Sequence, residues 1–153
     1  MSRARIEACH PRLKRTPYAL TSPETNENNC IAWAVGDVDR WWWPFQGVSQ
    51  AYWPPGVARD ETLAAFIAAF ATQGFAPCAD GRVELGFERI AVFTDPNGKP
   101  THAAKQVPGG RWWSSKLGPL EDISHILYGL EGPPYGTVTQ YLRRPIPAPA
   151  AAL

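Results

Sequence analysis

The sequence predicts a single α+β domain in which N-terminal helices pack on a mostly antiparallel sheet. Helical apolar spacing is confined to residues before position 75, and strand-like runs separated by turn signals follow from position 88 onward. This separation of helices from strands is typical of an α+β arrangement. The chain has 153 residues, 44% hydrophobic and 19% charged, which suits one globular domain.

Two helices are predicted in the first half of the chain. The first spans residues 28–36, with an asparagine as its N-cap and Gly36 as its left-handed C-terminal stop. The second spans residues 60–73, with Asp60 as its cap and Gly74 at its end. Its i, i+3, i+4, i+7 stripe should pack on the sheet or on the first helix; the stripe consists of Leu63, Phe66, Ile67 and Phe70.

Four strands are predicted in the second half, over residues 88–94, 101–107, 111–117 and 136–143. A turn at 95–98 joins the first pair, and a hairpin turn at 108–110 joins the second and third strands. Residues 119–130 read as a short helix or as irregular structure. The proline-punctuated residues 1–26 are interpreted as an extended lead-in, residues 27–144 as the domain, and residues 145–153 as a frayed Pro/Ala tail.

The net charge and the cysteine content indicate which partners to exclude and which cellular compartment to expect. A net charge of +1 gives no field that would attract nucleic acid or an acidic membrane, so neither partner is expected. Three cysteines without a CxxC spacing argue against a disulfide framework and indicate a reducing, cytoplasmic location. The basic N-terminus has no apolar stretch typical of an export signal, and no run reaches transmembrane length, although signal-independent secretion as an effector stays open. No cofactor or metal site is predicted, since Cys9, His10, Cys78 and His125 have no ligand spacing.

Cys30 and His102 are the candidates for chemistry. Cys30 falls in the first turn of the first predicted helix, where the helix terminus lowers a thiol pKa and backbone N–H groups can hold an oxyanion. His102 falls at the start of a strand, where an imidazole can take the thiol proton. The alternatives are a buried structural cysteine and a polar residue at the end of a strand.

The layout resembles the papain-like cysteine hydrolases. The likeness rests on the segment Asn-Asn-Cys30-Ile-Ala-Trp-Ala on a helix followed by His102-Ala-Ala on a strand. It is strongest to the compact bacterial branch of cell-wall peptidases and toxin-type members. It extends to a group of small bacterial proteins with an Asn-Cys-Ile-Ala start and a Trp-x-Ser-Lys-Leu-Gly strand, here Trp113 to Gly118. The resemblance covers residues 26–143.

The resemblance implies Cys30 as nucleophile and His102 as base, with a third polar residue on the next strand to orient the imidazole. A two-residue hairpin loop opposes His102 to Leu117 and makes Ser115 its diagonal neighbour, whereas a three-residue loop makes Ser114 that neighbour. Asp95 is another candidate orienter. Glu24 stands where the papain-type oxyanion glutamine would be, so Asn28 or Asn29 would donate instead; Trp33 and Trp113 complete the predicted substrate-binding set.

Other features have simpler interpretations. The tryptophan clusters could line a substrate cleft, but the simpler interpretation is that they pack in the core and cover the sheet. They consist of Trp41, Trp42, Trp43, Trp53, Trp112 and Trp113. Lys116, Arg143 and Arg144 read as solvated charges, and His125 as a residue that caps or packs within a helix. The predicted function is a cysteine-dependent hydrolase or acyl transferase acting on an amide of a protein or peptide. The alternative is a non-catalytic binding module on the same fold.

Overall fold

The computed structural model describes residues 2–47 and 50–147. Seven antiparallel strands form one sheet in the order β1-β6-β5-β4-β3-β7-β2, with four short α-helices around it. The fold is therefore α+β, as predicted. The strands are β1 Tyr18–Ser22, β2 Ala76–Cys78, β3 Phe87–Thr94, β4 Pro100–Gln106, β5 Trp113–Lys116, β6 Asp122–His125 and β7 Thr137–Pro145; the helices are α1 Ser2–Cys9, α2 Cys30–Val35, α3 Leu63–Ala71 and α4 Leu127–Leu130.

One face of the sheet, called here the α2 face, packs against α2 and α3. Alternate residues of the central strands point to it, because side chains alternate between the two faces of a strand. Phe66 and Phe70 of α3 are fully buried there, so the predicted packing of the α3 stripe is confirmed. The sheet residues of this cluster are Ile90, Val92, Ala103 and Leu142.

The opposite face, called here the N-terminal face, is covered by residues from the start of the chain. Ile6 of α1 and Leu13 of the 3₁₀ turn Pro11–Lys14 pack on it. The intervening strand residues supply the rest of the cluster, including Ala91, Phe93, Ala104 and Ile123. The sheet therefore has a buried layer on each side, with α2 on one and the N-terminal segment on the other.

The predicted helices are present, but the second is shorter at both ends than its predicted range of 60–73, since it ends at Ala71 with Thr72 as its C-cap. Helix α2 has the N-cap Asn29 and the left-handed C-cap Gly36 that the sequence indicates. Helix α3 begins at Leu63, and its cap is Thr62, whose side chain accepts from the N–H of Ala65. Asp60 is thus not the cap; the hydroxyl of Thr62 satisfies an N–H group of the first turn instead.

The prediction for the N-terminal region is wrong. Residues 1–26 are not an extended lead-in, because the described part contains α1, a 3₁₀ turn and β1, which pairs with β6 at the sheet edge. Residues 119–130 contain β6 as well as the short helix α4. Strand β7 runs to Pro145, one residue into the predicted tail, and residues 148–153 lie outside the described residues. Over the described ranges, none of the helices is long and apolar enough to cross a membrane.

Candidate active site

Cys30 is the first residue of α2, and the preceding residue fixes that end of the helix. The Asn29 side chain accepts from the N–H groups of Ala32 and Trp42, at 3.2 and 3.1 Å, and donates to the Trp42 carbonyl at 2.8 Å. These bonds cap α2 and attach it to the tryptophan-rich loop. The Asn29 amide nitrogen uses one of its two N–H donors in this way, so its role as an oxyanion donor stays a prediction.

The Cys30 thiol is buried, with 6% of the residue exposed. Burial raises its pKa to about 11, although the N–H groups of Ala103, Ile31 and Cys30 itself and the Lys116 ammonium favour the thiolate. The expectation that the helix terminus would lower this pKa is therefore wrong for the structure at rest. The cost of moving the thiolate out of water exceeds the stabilisation from the surrounding donors.

A cavity of about 280 Å³ opens beside the thiol. None of its described lining residues carries a formal charge, and four of the eight are aromatic. Trp41 and Trp43 belong to it, whereas Trp42 and Trp53 are buried in the core of the α2 face. Two of the four tryptophans therefore line the cavity, and the other two are core residues. The described lining consists of Asn29, Cys30, Trp41, Trp43, Phe45, Thr101, Gly118 and Tyr135.

His102 points to the N-terminal face and is fully buried. Its ring stacks on Tyr135, with centroids 4.0 Å apart and planes at 11°, and meets the Phe93 ring edge at 5.1 Å. Burial, together with the neighbouring His125 and His10, holds the His102 pKa well below its ordinary value. The imidazole is therefore neutral at pH 7.

A hydrogen-bonded chain extends from His102 through β5 to β6. His102 Nε2 lies 2.9 Å from Ser115 Oγ, and the same oxygen lies 2.7 Å from His125 Nε2. His125 Nδ1 lies 2.8 Å from the Ile126 carbonyl oxygen. His125 is thus a buried strand residue in contact with the candidate site, and the prediction that it caps or packs within a helix is wrong.

The hairpin register selects Ser115 over Ser114. Lys105 pairs with Ser114 and Gln106 with Trp113, which is the register of the two-residue-loop alternative. Ser114 points instead to the α2 face, where it accepts from Trp33 Nε1 at 2.9 Å. A shift of one residue would have exchanged the two serines, so register alone decides which hydroxyl meets His102.

Cys30 and His102 lie on adjacent structural layers without a hydrogen bond between them. The sulfur contacts the N–H of Ala103, the residue after His102, while His102 Nε2 is bound to Ser115 and Nδ1 has no hydrogen-bond partner among the described residues. Nδ1 is the ring nitrogen nearer to the main chain. The two groups therefore approach the same His102–Ala103 peptide from the two faces of the sheet.

The other predicted binding residues are not brought to the cavity. Asn28 donates to the Val38 carbonyl at 2.8 Å. The Trp33 indole is held by Ser114 and by Lys105 Nζ, 4.5 Å from its ring centre. Trp113 is buried on the N-terminal face and is not among the described residues that line the cavity. Asp95, the other candidate orienter, uses its carboxylate within its own turn, accepting from Asn97 and Lys99.

The three basic residues that the sequence suggests are solvated instead form hydrogen bonds or ion pairs within the protein. Lys116 is fully buried, and its ammonium donates to the carbonyls of Thr25, Gly118 and Leu120. Arg143 pairs with Glu84 at 2.6 Å, and Arg144 pairs with Glu88. The interpretation of Lys116 as a surface charge is therefore wrong, because three carbonyls satisfy its three N–H donors inside the protein.

Sequence reasoning missed Tyr135 and the role of His125. Tyr135 stacks on His102 and lines the cavity that contains Cys30, but it lies outside any periodic segment, after two prolines. For His125, the alternation of Ile123 and His125 around Ser124 was the available signal of a strand. Among residues 2–47 and 50–147, no three His, Cys, Asp or Glu side chains are grouped to hold a metal ion.

Comparison with known proteins gives one family and no function. The family model described as a domain of unknown function, DUF7689, matches residues 19–143, most of the chain, so the chain belongs to this family. No curated protein matches. No solved structure matches either.

Proposed function

We propose that this DUF7689 member is a cysteine-dependent hydrolase or acyl transferase that acts on an amide through Cys30 and His102. One observation carries the proposal. The Cys30 thiol lines the cavity at the N-terminus of α2, and its sulfur contacts the backbone N–H of Ala103, the residue that follows the neutral His102. A helix-borne cysteine, a strand-borne histidine and a polar residue on the next strand also support a papain-like arrangement.

The reaction begins from a neutral pair. As the Cys30 sulfur attacks the amide carbon, its proton passes to His102 Nδ1, which is free because Nε2 is bound to Ser115. The resulting imidazolium returns the proton to the leaving amine, which leaves an acyl group on sulfur as a thioester. Water or a second amine then attacks the thioester and restores the thiol. The N–H groups of Cys30 and Ile31 are the available donors for the oxyanion, since the N–H groups of Ala32 and Trp33 are bound to Asn29.

The proposal requires a movement that brings the Cys30 sulfur to His102 Nδ1, since the two side chains approach the His102–Ala103 peptide from opposite faces of the sheet. Hydrogen bonds between catalytic groups are commonly loose in an empty site and tighten when substrate binds. Substrate in the cavity would also displace water around the thiol, which favours transfer of its proton to a neighbouring base over release to solvent.

The cavity supports an uncharged, apolar group next to the scissile amide. Its aromatic lining and lack of charged described residues penalise a buried ion, while Trp41, Trp43 and Phe45 offer rings for apolar contact. A volume of about 280 Å³ holds one large side chain. The proposed substrate is thus a protein or peptide with a bulky apolar residue at this position.

Peptidyl acyloxymethyl ketones that carry phenylalanine or glutamate beside the reactive carbon test this proposal. We expect the phenylalanine probe to label Cys30, detected by peptide mass mapping, and Cys30→Ser to remove that label. Phe45→Ala should narrow the difference in Cys30 labelling rate between the two probes, because Phe45 lines the cavity. Phe45 is 45% exposed, so the substitution should leave the fold intact. Leu85→Ala, at a fully exposed position, is the matched control.

A second candidate function is a non-catalytic binding module. It is favoured by the burial of Cys30 and by the aromatic cavity, which can hold an apolar ligand without reaction. If both probes leave Cys30 unmodified while the exposed Cys9 is labelled, the binding module replaces the hydrolase. Equal labelling of Cys30 by both probes would keep the nucleophile and refute the apolar substrate.

A further inference from the structure

The hydrogen bonds that link His102, Ser115, His125 and the Ile126 carbonyl have a fixed donor-to-acceptor direction, and the group at the Ile126 end determines it. The Ile126 carbonyl oxygen can only accept, so His125 Nδ1 must carry a proton and donate it at 2.8 Å. Because His125 is neutral at pH 7, with a pKa lowered by burial to about 4, its Nε2 has no proton and accepts. The hydroxyl of Ser115 is the group that donates to it, at 2.7 Å.

The same logic then fixes the protonation of His102. Ser115 has a single hydroxyl proton, and its bond to His125 uses it. Its oxygen must therefore accept from His102 Nε2, 2.9 Å away, which places the one proton of the neutral ring on Nε2. His102 Nδ1 is left with a bare lone pair, and this atom is buried without a hydrogen-bond partner.

We infer that His125 is a positioning residue that, through Ser115, holds His102 in the tautomer whose Nδ1 can accept a proton. The inference rests on the proposed function only for its consequence, since a bare Nδ1 is what the transfer from Cys30 needs. The residue thus supplies by relay what an Asn or Asp side chain would supply by direct contact with the imidazole.

The surroundings of the relay hold it in place. Tyr135 stacks on the His102 ring, and the His10 ring contacts Tyr135 at a tilt of 37°, with the two ring centroids 4.7 Å apart. His125 and Ser115 are both fully buried. Water therefore has little access to reverse the direction of the hydrogen bonds, and the carbonyl of Ile126 remains the end that sets it.

Nitrogen-15 NMR of histidine-labelled protein at pH 7 tests the inference directly. The chain has three histidines, so loss of signals in His10→Gln, His102→Gln and His125→Gln assigns each ring. We expect two neutral rings of opposite type, His125 protonated at Nδ1 and His102 at Nε2. A wild-type His102 protonated at Nδ1 would overturn the inference whether or not Cys30 is a nucleophile.

Variants at His125 separate positioning from a structural role. In His125→Gln the amide oxygen can still accept from Ser115, so His102 should keep its tautomer, and alkylation of Cys30 by the phenylalanine probe should stay within about threefold of wild type. In His125→Leu the Ser115 hydroxyl can turn toward His102 Nε2, so the proton should move to Nδ1 and the rate of this alkylation should fall roughly a hundredfold.

Two further results make the test decisive. Retention of the wild-type tautomer in a folded His125→Leu would refute the role of His125. If that variant does not fold, Ser115→Ala serves instead, since it removes both bonds and should leave His102 as a mixture of tautomers; an unchanged spectrum would equally refute the relay. Failure of every probe to label Cys30 would refute the proposed function while leaving these spectra interpretable.

Discussion

The two faces of the sheet bury very different chemistry. The α2 face holds a cluster of aliphatic and aromatic side chains, and the Cys30 thiol is part of it. The N-terminal face also has an apolar cluster, but it buries all three histidines of the chain together with Ser115. The α2 face is thus organised mainly by apolar packing, whereas the N-terminal face adds to its apolar cluster a set of hydrogen bonds between buried histidines and Ser115.

The difference indicates how the candidate site is divided. The nucleophile and the substrate cavity belong to the α2 face, while the base and its orienting groups belong to the N-terminal face. Strand β4 lies between them, and its consecutive residues His102 and Ala103 serve one face each. Each face can therefore be perturbed separately.

The largest expected effect comes from acid, which breaks the N-terminal face. Burial lowers the pKa of His10 and of His125 from 6.5 to about 4, so between these pH values the two residues are protonated in the unfolded chain and neutral in the folded one. The free energy of unfolding is therefore highest above pH 6.5 and falls as the pH drops toward 4, by on the order of 5 kcal/mol for the two residues together. Urea unfolding at pH 7, 5.5 and 4.5 measures it.

The matched control for the acid effect is His10→Phe. Phenylalanine keeps a ring against Tyr135 but binds no proton, so the loss of stability between pH 6.5 and 4 should fall by about a third, because His102 and His125 still refuse protons in the folded state. An identical pH dependence in wild type and variant would show that the buried histidines do not cause it.

The next effect breaks the α2 face. Phe66→Ala should reduce the free energy of unfolding by about 3–5 kcal/mol, because Phe66 is fully buried and packs edge-on to Trp43 and Trp53. Urea denaturation at pH 7 measures the change, and it should leave the acid sensitivity of the other face intact. A loss below 1 kcal/mol, similar to that of Leu85→Ala, would contradict the packing.

A smaller effect concerns the thiol. Since burial raises the Cys30 pKa to about 11, iodoacetamide should modify Cys30 at pH 8 roughly a hundred times more slowly than it modifies the same residue in urea. The rate should rise steadily with pH up to about 11, as thiolate forms. Rapid modification near pH 6 would show instead that the resting thiol is already ionised.

The comparison also explains what sequence could and could not predict. Helix α2, the α3 stripe, β3, β4 and the β4–β5 hairpin each carry a local signal, and their positions follow from capping, periodicity and turns. The hairpin reasoning reduced the partner of His102 to two serines, but register needed the folded sheet. The N-terminal face has no such signal, because α1 is polar in sequence and acquires its role by covering strands far along the chain.

The buried polar residues were the hardest to place. Lys116 and His125 look like ordinary surface or helix residues in sequence, since their burial depends on carbonyls and hydroxyls supplied by distant segments such as Thr25 and Ser115. The pKa of Cys30 shows the same limit. A helix N-terminus is visible in sequence, but the desolvation that opposes it arises only when the core closes over the thiol.

The most direct test of the central claim, that His102 is the base for Cys30, is the rate at which the phenylalanine probe alkylates Cys30 in wild type and in His102→Gln. Glutamine can keep a donor toward Ser115 but has no nitrogen lone pair to accept the thiol proton. We predict a rate roughly a hundredfold lower in the variant at pH 7, with unchanged unfolding in urea at that pH. Equal rates in the two folded proteins would contradict the account.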